Sequence, residues 1–181
     1  MSKIGRKPID CGKLTVTVDT QVVRYNNNSY ELPVELKAEL VGSDLYIKPN
    51  ELLTGNMRLR DVNRVWGLHR ALLCNYIKGL QKDFKFELKI VGLGYKATVE
   101  DKKITFNLGY SHPKYFELPE NVSLQTDRSG QLLTITSQDK MAAGLVASEI
   151  IQLKKPEPYK GTGIQIVGKE IARKAGKTKS S

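Results

Sequence analysis

The chain has 181 residues, enough for one large domain or two small ones, each with a modest hydrophobic core. Apolar residues make up 40% of the chain and charged residues 27%, a balance typical of folded globular proteins and not of disordered chains. The formal net charge of +10 favours an anionic partner such as nucleic acid, and no apolar run is long enough to predict a membrane span.

The first half of the chain opens with a basic leader and continues as short β-type segments. Clusters of turn residues at 26–29 and 41–44 predict connections between antiparallel strands. The alternation of Val34, Leu36, Ala38 and Leu40 predicts that these four side chains face a core. The predicted strands cover Leu14–Val18, Val22–Tyr25, Tyr30–Leu32, Val34–Leu40 and Leu45–Ile47.

The spacing of apolar residues then changes to three and four, which predicts an amphipathic helix. This helix should begin near Asp61 or a little earlier and end at Gly79 or shortly after, since glycine favours a C-terminal stop. His69 falls among its apolar residues, and we interpret it as a half-buried histidine with a satisfied hydrogen bond, not as a ligand. The apolar positions are Val62, Val65, Trp66, Leu72, Leu73, Tyr76, Ile77 and Leu80.

The second half repeats this order of elements. A second helix is predicted from Asp139, whose carboxylate can cap it, through Leu153, with Lys154 and Lys155 in its last turn. Residues 163–167 are expected to return as an edge strand. The predicted strands before the helix are Phe84–Ile90, Tyr95–Val99, Ile104–Leu108, Tyr115–Leu118, Val122–Thr126 and Leu132–Thr136, with hairpin turns at 101–102 and 127–130.

Strands followed by a helix, occurring twice, indicate an α+β fold. We predict two similar small domains related by duplication, each an antiparallel or mixed β-sheet covered by a helix. The predicted ranges are 1–82 for an N-terminal domain with the basic leader, 83–170 for a C-terminal domain that includes the loop at residues 154–163, and 171–181 for a basic mobile tail.

Residues 154–163, with the sequence Lys-Lys-Pro-Glu-Pro-Tyr-Lys-Gly-Thr-Gly, are predicted to form a pre-ordered cationic loop. Its two prolines restrict the backbone, and its two glycines allow sharp turns. Such a loop suits a phosphate backbone, where lysines supply charge and an aromatic ring can stack on a base or sugar. The same residues also fit an ordinary solvated connector, and the segment alone does not separate the two interpretations.

The excess positive charge lies at the two ends of the chain. Residues 83–153 are close to neutral, whereas from Lys154 onward eight lysines and arginines face only Glu157 and Glu170. A basic C-terminal segment of this kind is typical of an arm that becomes ordered on a polyanion.

The sequence predicts no enzyme and no cofactor. Gly92-Leu93-Gly94 lies between two predicted strands, so no helix N-terminus follows it to bind a nucleotide phosphate. Ser111 and His112 are neighbours on an extended segment and therefore point apart. The two cysteines and two histidines have neither a disulfide framework nor the spacing of metal ligands.

Two segments are distinctive, Gly109-Tyr-Ser-His-Pro113 and Pro156-Glu-Pro-Tyr-Lys-Gly161. They are the strongest matches in a resemblance to the bacterial-type ribosomal protein L-six family of the large ribosomal subunit. Two departures stand out, because the family usually has a lysine in place of Thr162 and a Gly-Pro-Lys-Gly turn in place of residues 26–29. Further matches, in the family's order, are Met1–Ile9, Arg70–Gly79, Val91–Ala97, Asp139–Gly144 and Arg173–Lys177.

This resemblance implies a structural, non-catalytic constituent of the large ribosomal subunit that acts in translation. It implies binding to large-subunit rRNA near the sarcin–ricin loop and the stalk base, supporting the region where translation factors bind. Neighbouring large-subunit proteins would be further partners, and the location would be the ribosome of a bacterial cytoplasm or of an organelle. The implied rRNA-binding residues are Lys154, Lys155, Tyr159, Lys160, Gly161, Gly163, Arg173, Lys174 and Lys177.

A second hypothesis is a basic adaptor protein that pairs a partner's strand with the predicted edge at residues 163–167. Such an adaptor would bind its partner with weak salt dependence and without RNA, whereas RNA binding falls steeply with salt.

Overall fold

A computed structural model describes residues 2–12, 14–19, 21–50 and 58–174. The chain divides into two compact units, unit 1 from Met1 to Lys82 and unit 2 from Asp83 to Ser181. Each unit combines small antiparallel sheets with one long helix in its described part, which confirms the predicted α+β class. Neither helix in the described ranges is both long enough and apolar enough to cross a membrane.

Unit 1 contains two three-stranded antiparallel sheets and helix α1. In one sheet β6 lies between β1 and β5, and in the other β3 lies between β2 and β4. The elements are β1 Ile9–Asp10, β2 Val16–Asp19, β3 Val22–Tyr25, β4 Asn28–Glu31, β5 Leu36–Val41, β6 Asp44–Pro49 and α1 Leu59–Gln81.

Helix α1 packs its apolar face against residues of both sheets, as its period predicts. Trp66, Leu73 and Ile77 are buried in the same cluster as Leu36 and Leu45. Burying a side chain of this size contributes about 1.5–3 kcal/mol. The indole nitrogen of Trp66 donates a hydrogen bond to the carbonyl oxygen of Ile47 at 2.6 Å, so the buried ring leaves no polar atom unsatisfied.

The predicted inward face of β5 is only partly correct. Leu36 and Ala38 are buried, but Val34 is 55% exposed and Leu40 is 41% exposed. The amide of Leu36 donates to the carbonyl oxygen of Pro33 at 2.9 Å, so Val34 lies in a turn ahead of the strand. Leu40 lies at the other end, next to the β5–β6 turn, where fewer neighbours cover it.

Unit 2 contains a four-stranded antiparallel sheet, a three-stranded antiparallel sheet and helix α2. The strand order is β11-β12-β7-β13 in the first sheet and β10-β9-β8 in the second. The elements are β7 Phe84–Val91, β8 Lys96–Glu100, β9 Lys103–Asn107, β10 Lys114–Glu117, β11 Ser123–Thr126, β12 Leu132–Ser137, α2 Lys140–Leu153 and β13 Gly163–Ile166.

One hydrophobic core joins α2 to both sheets of unit 2. Val146 and Ile150 of the helix share this core with Leu88 and Leu133 of the larger sheet and Phe106 of the smaller one. Strand β13 pairs with β7 at the edge of the larger sheet, which confirms the predicted edge strand.

Both ends of α2 are set by local chemistry. The carboxylate of Asp139 accepts a hydrogen bond from the amide of Met141 at 2.8 Å, which confirms the predicted N-cap. The helix ends at Leu153, so the prediction that Lys154 and Lys155 form its last turn is wrong. Lys154 has φ −151° and leaves the helical region one residue before Lys155, the residue in which Pro156 disfavours helical geometry.

Candidate nucleic-acid interface

Residues 154–163, which we call the cationic loop, connect α2 to β13. The amide of Ile164 donates to the carbonyl oxygen of Lys154 at 2.9 Å and joins the two ends of the loop. Within it, Glu157 accepts from the amide of Gly161 and donates its own amide to Thr162, both at 2.9 Å. The loop backbone is therefore fixed by its own hydrogen bonds, which lowers the entropy lost when a ligand binds.

Two buried glycines allow the loop to close. Gly163 has φ +136°, and a Cβ there would lie 2.7 Å from the carbonyl oxygen of Lys155 and 2.8 Å from that of Lys154. Gly161 has φ +72°, and a Cβ there would lie 3.2 Å from the guanidinium of Arg173. Both glycines are buried, Gly163 against backbone atoms and Gly161 against the Arg173 side chain.

The charged and aromatic side chains of the loop after Lys154 face solvent. Lys155 and Lys160 are exposed, and Tyr159 is 54% exposed. The carboxylate of Glu157 accepts a hydrogen bond from the Thr162 hydroxyl at 3.1 Å. Among the described residues no ion pair includes a lysine of the loop, so its positive charge is available to an external anion.

The segment after β13 returns to the cationic loop and adds two cations to it. The amide of Lys174 donates to the carbonyl oxygen of Pro158 at 2.9 Å. Arg173 lies beside Gly161 and lines a shallow groove of about 290 Å³ together with Gln165. Lys177, the third cation predicted in this segment, lies outside the described residues.

A pair of tyrosines holds Lys154 and was not among the predicted site residues. The ammonium of Lys154 lies 4.4 Å from the ring centre of Tyr110 and 6.0 Å from that of Tyr95. Lys114 places its own ammonium 5.5 Å from the Tyr110 ring centre. The Tyr110 hydroxyl donates to the carbonyl oxygen of Leu153 at 3.0 Å and satisfies an acceptor that the end of α2 leaves free.

A sequence signal for these tyrosines does exist. Tyr95 and Tyr110 each follow a glycine with positive φ, Gly94 and Gly109, both at +72°. A glycine before an aromatic residue at a strand connection indicates close backbone approach, but it does not reveal which distant residue the ring will contact.

The remaining predicted candidates have structural explanations. Nδ1 of His69 lies 2.8 Å from the Tyr30 hydroxyl oxygen, and partial burial lowers the pKa of His69 below its ordinary value of 6.5. Cys11 and Cys74 are buried free thiols, and burial raises the pKa of Cys11. In the part of the chain that the structure describes, no group of three histidine, cysteine or acidic side chains could hold a metal ion.

Comparison with known proteins shows which family this chain is similar to. A family model described as Ribosomal protein L6 matches residues 91–166. Proteins named "Large ribosomal subunit protein uL6" match nearly the whole chain. The one from Maridesulfovibrio salexigens is 37% identical over 98% of this chain and 99% of its own length. The one from Persephonella marina is 38% identical over 98% of this chain and 98% of its own length. The one from Xanthobacter autotrophicus is 35% identical over 99% of this chain and 100% of its own length.

Proposed function

The chain belongs to the ribosomal protein L6 family, and we propose from this premise that it binds large-subunit rRNA through the cationic loop and the segment that returns to it. It is a structural protein of the large ribosomal subunit, acts in translation and is not an enzyme. The proposed rRNA site lies near the sarcin–ricin loop and the stalk base. There the protein would support the translation-factor region beside neighbouring ribosomal proteins.

The observation that supports this proposal most directly is the exposure of Lys155, Tyr159 and Lys160 on a loop with a fixed backbone. These three side chains are exposed on a backbone whose turns are closed by hydrogen bonds and two buried glycines. Ammonium groups contact phosphates as point charges, and an exposed tyrosine ring can stack on a base or ribose. A pre-ordered loop of this composition binds a folded RNA without first having to order itself.

The other proposed contacts extend the same surface. Lys154 begins the loop, and Arg173 and Lys174 lie against it through the contacts with Gly161 and Pro158. Lys177 continues the basic segment in sequence. Gly161 and Gly163 belong to the proposed interface because they give the loop its shape, although their own atoms are buried.

Salt dependence provides the test, because each lysine–phosphate contact releases counterions on binding. The full chain is titrated with a large-subunit rRNA fragment that contains the sarcin–ricin loop, at several salt concentrations. Lys160→Ala should lower the slope of log affinity against log salt by roughly 0.7–0.9. Lys103→Ala is the matched control, since Lys103 is an exposed lysine of the same unit whose ammonium lies 3.7 Å from the carboxylate of Glu117.

Two results would overturn the proposal. If Lys160→Ala and Lys103→Ala change the slope equally, binding depends on net charge and the loop has no special role. If the full chain binds the rRNA fragment weakly and with little salt dependence, the adaptor hypothesis gains support instead. Strand β13 would then be the surface to examine, because among the described strands it pairs with β7 alone.

A further inference from the structure

A second cationic feature of unit 2 lies beside the cationic loop, at the connection between β9 and β10. We infer that Tyr110, Lys114 and Lys154 form a binding site for the phosphates of one RNA strand. We call these three residues the Tyr110 cluster. This inference rests on the proposed function, because it extends the same RNA interface from Lys154 to Tyr110 and Lys114, which are not among the predicted site residues.

Two ammonium groups of the Tyr110 cluster share one aromatic ring. Lys154 and Lys114 lie 4.4 Å and 5.5 Å from the ring centre of Tyr110. Their nitrogens can therefore be no further apart than about 10 Å, the distance over which 0.1 M salt screens charges. The two like charges thus raise the local positive potential together, and this potential favours an anion that contacts one or both of them.

Neither lysine has a carboxylate partner among the described ion pairs. A lysine pair in unit 1 behaves differently, because Lys37 and Lys48 share the carboxylate of Glu39. The carboxyl end of α2 accounts for part of the placement of Lys154, because a helix C-terminus attracts cations. It does not account for Lys114, which belongs to β10.

The Tyr110 ring is held in place by a hydrogen bond to a residue that is distant in sequence. Its hydroxyl donates to the carbonyl oxygen of Leu153, 43 residues away, so the β9–β10 connection is tied to the start of the cationic loop. Gly109 packs against Tyr95 so closely that a Cβ there would lie 2.8 Å from the ring. The Tyr110 ring is therefore positioned before any ligand arrives.

The exposure of the Tyr110 cluster suits a strand of RNA. Tyr110 is 45% exposed and Lys114 is exposed, so an external ligand can reach both of them. A phosphate satisfies the ammonium groups, and the free part of the ring can contact a ribose or an unpaired base. An acidic peptide would use the two charges but would have no comparable use for the ring, and we therefore assign RNA phosphates as the ligand.

The test uses the full chain and the same rRNA fragment. Lys114→Ala should lower the slope of log affinity against log salt by about 0.7–0.9, because one phosphate contact is lost. Lys114→Arg keeps the charge and should restore the slope. Lys103→Ala, on the neighbouring strand β9, should leave the slope unchanged. Equal melting temperatures of the variants show that folding is not the cause.

The outcomes separate this inference from the proposed function. If Lys160→Ala lowers the slope and Lys114→Ala behaves like Lys103→Ala, the Tyr110 cluster is not an RNA site and the cationic loop still is. If neither Lys160→Ala nor Lys114→Ala differs from the control, the proposed function fails and this inference fails with it. A slope lowered by Lys114→Ala but not restored by Lys114→Arg also overturns the inference, because the lost property is then not the charge.

Discussion

The substitution Gly163→Ala tests whether the cationic loop depends on close backbone packing. An alanine Cβ at this position would lie 2.7–2.8 Å from three backbone atoms, the carbonyl oxygens of Lys154 and Lys155 and the Cα of Pro156. Real Cβ atoms do not approach other atoms this closely, and backbone atoms cannot move aside as the end of a flexible side chain can. Either the loop or β13 must therefore shift.

The expected cost has two parts. A side chain at φ +136° strains the backbone by about 1–3 kcal/mol. Forcing an extra methyl group into a packed site costs about 1–3 kcal/mol more. We therefore expect Gly163→Ala to lower the free energy of unfolding by about 2–6 kcal/mol, a large part of the roughly 5–15 kcal/mol that a typical domain has.

Chemical denaturation of the full chain, followed by circular dichroism, measures the total loss. Hydrogen exchange of peptides covering 154–166 locates it. Trp66, the single tryptophan, lies in the core of unit 1, so its fluorescence follows unit 1 separately. Gly144→Ala in α2 is the matched control, since its Cβ would meet nothing within 4 Å and should raise stability by about 0.5–1 kcal/mol.

A small effect would refute the reasoning. If Gly163→Ala changes stability by less than about 0.5 kcal/mol, as neutral surface substitutions do, the close packing of the loop is wrong. Faster exchange in unit 1, with unchanged exchange in 154–166, would refute it as well.

Two further predictions concern the helices. Asp139→Ala removes the N-cap of α2 and should lower the free energy of unfolding, measured by chemical denaturation, by about 1 kcal/mol. Asp139→Asn should lower it little, and equal losses in the two variants would argue against the cap. Burial lowers the pKa of His69 in the folded state. The stability that neutral His69 contributes is therefore present above pH 6.5, and it is lost as the pH falls through the folded-state pKa. Unfolding followed by Trp66 fluorescence should therefore show lower stability at pH 5.5 than at pH 7.5. His69→Gln should reduce that difference, and if the difference is undiminished, His69 is not the group responsible for it.

Local sequence rules recovered the features of the fold that depend on neighbouring residues. The three- and four-residue spacing predicted α1, and Asp139 predicted the start of α2 because an N-cap contacts an amide only two residues further on. The end of α2 was placed too late, since Lys154 looked like a favourable last-turn cation. Pro156 disfavours helical geometry in Lys155, and the helix ends before that residue, at Leu153.

The arrangement around the loop could not be predicted in the same way. The hydrogen bond from Tyr110 to Leu153 and the return of Lys174 to Pro158 both depend on how strands and helix pack in unit 2. Such contacts have no local pattern, because hydrophobic burial decides which distant segments meet. The exposure of Val34 has a similar origin, since alternation alone does not tell where a strand begins.

The most direct test of the central claim is ultraviolet crosslinking of intact large ribosomal subunits, followed by mass spectrometry of RNA-linked peptides from this chain. If the cationic loop binds rRNA, the peptide that contains Tyr159 should carry crosslinked large-subunit nucleotides, and the peptide covering 101–107 on the smaller sheet should carry none. Crosslinks confined to unit 1, or a loop peptide recovered without any nucleotide while other ribosomal proteins crosslink efficiently, would contradict the account.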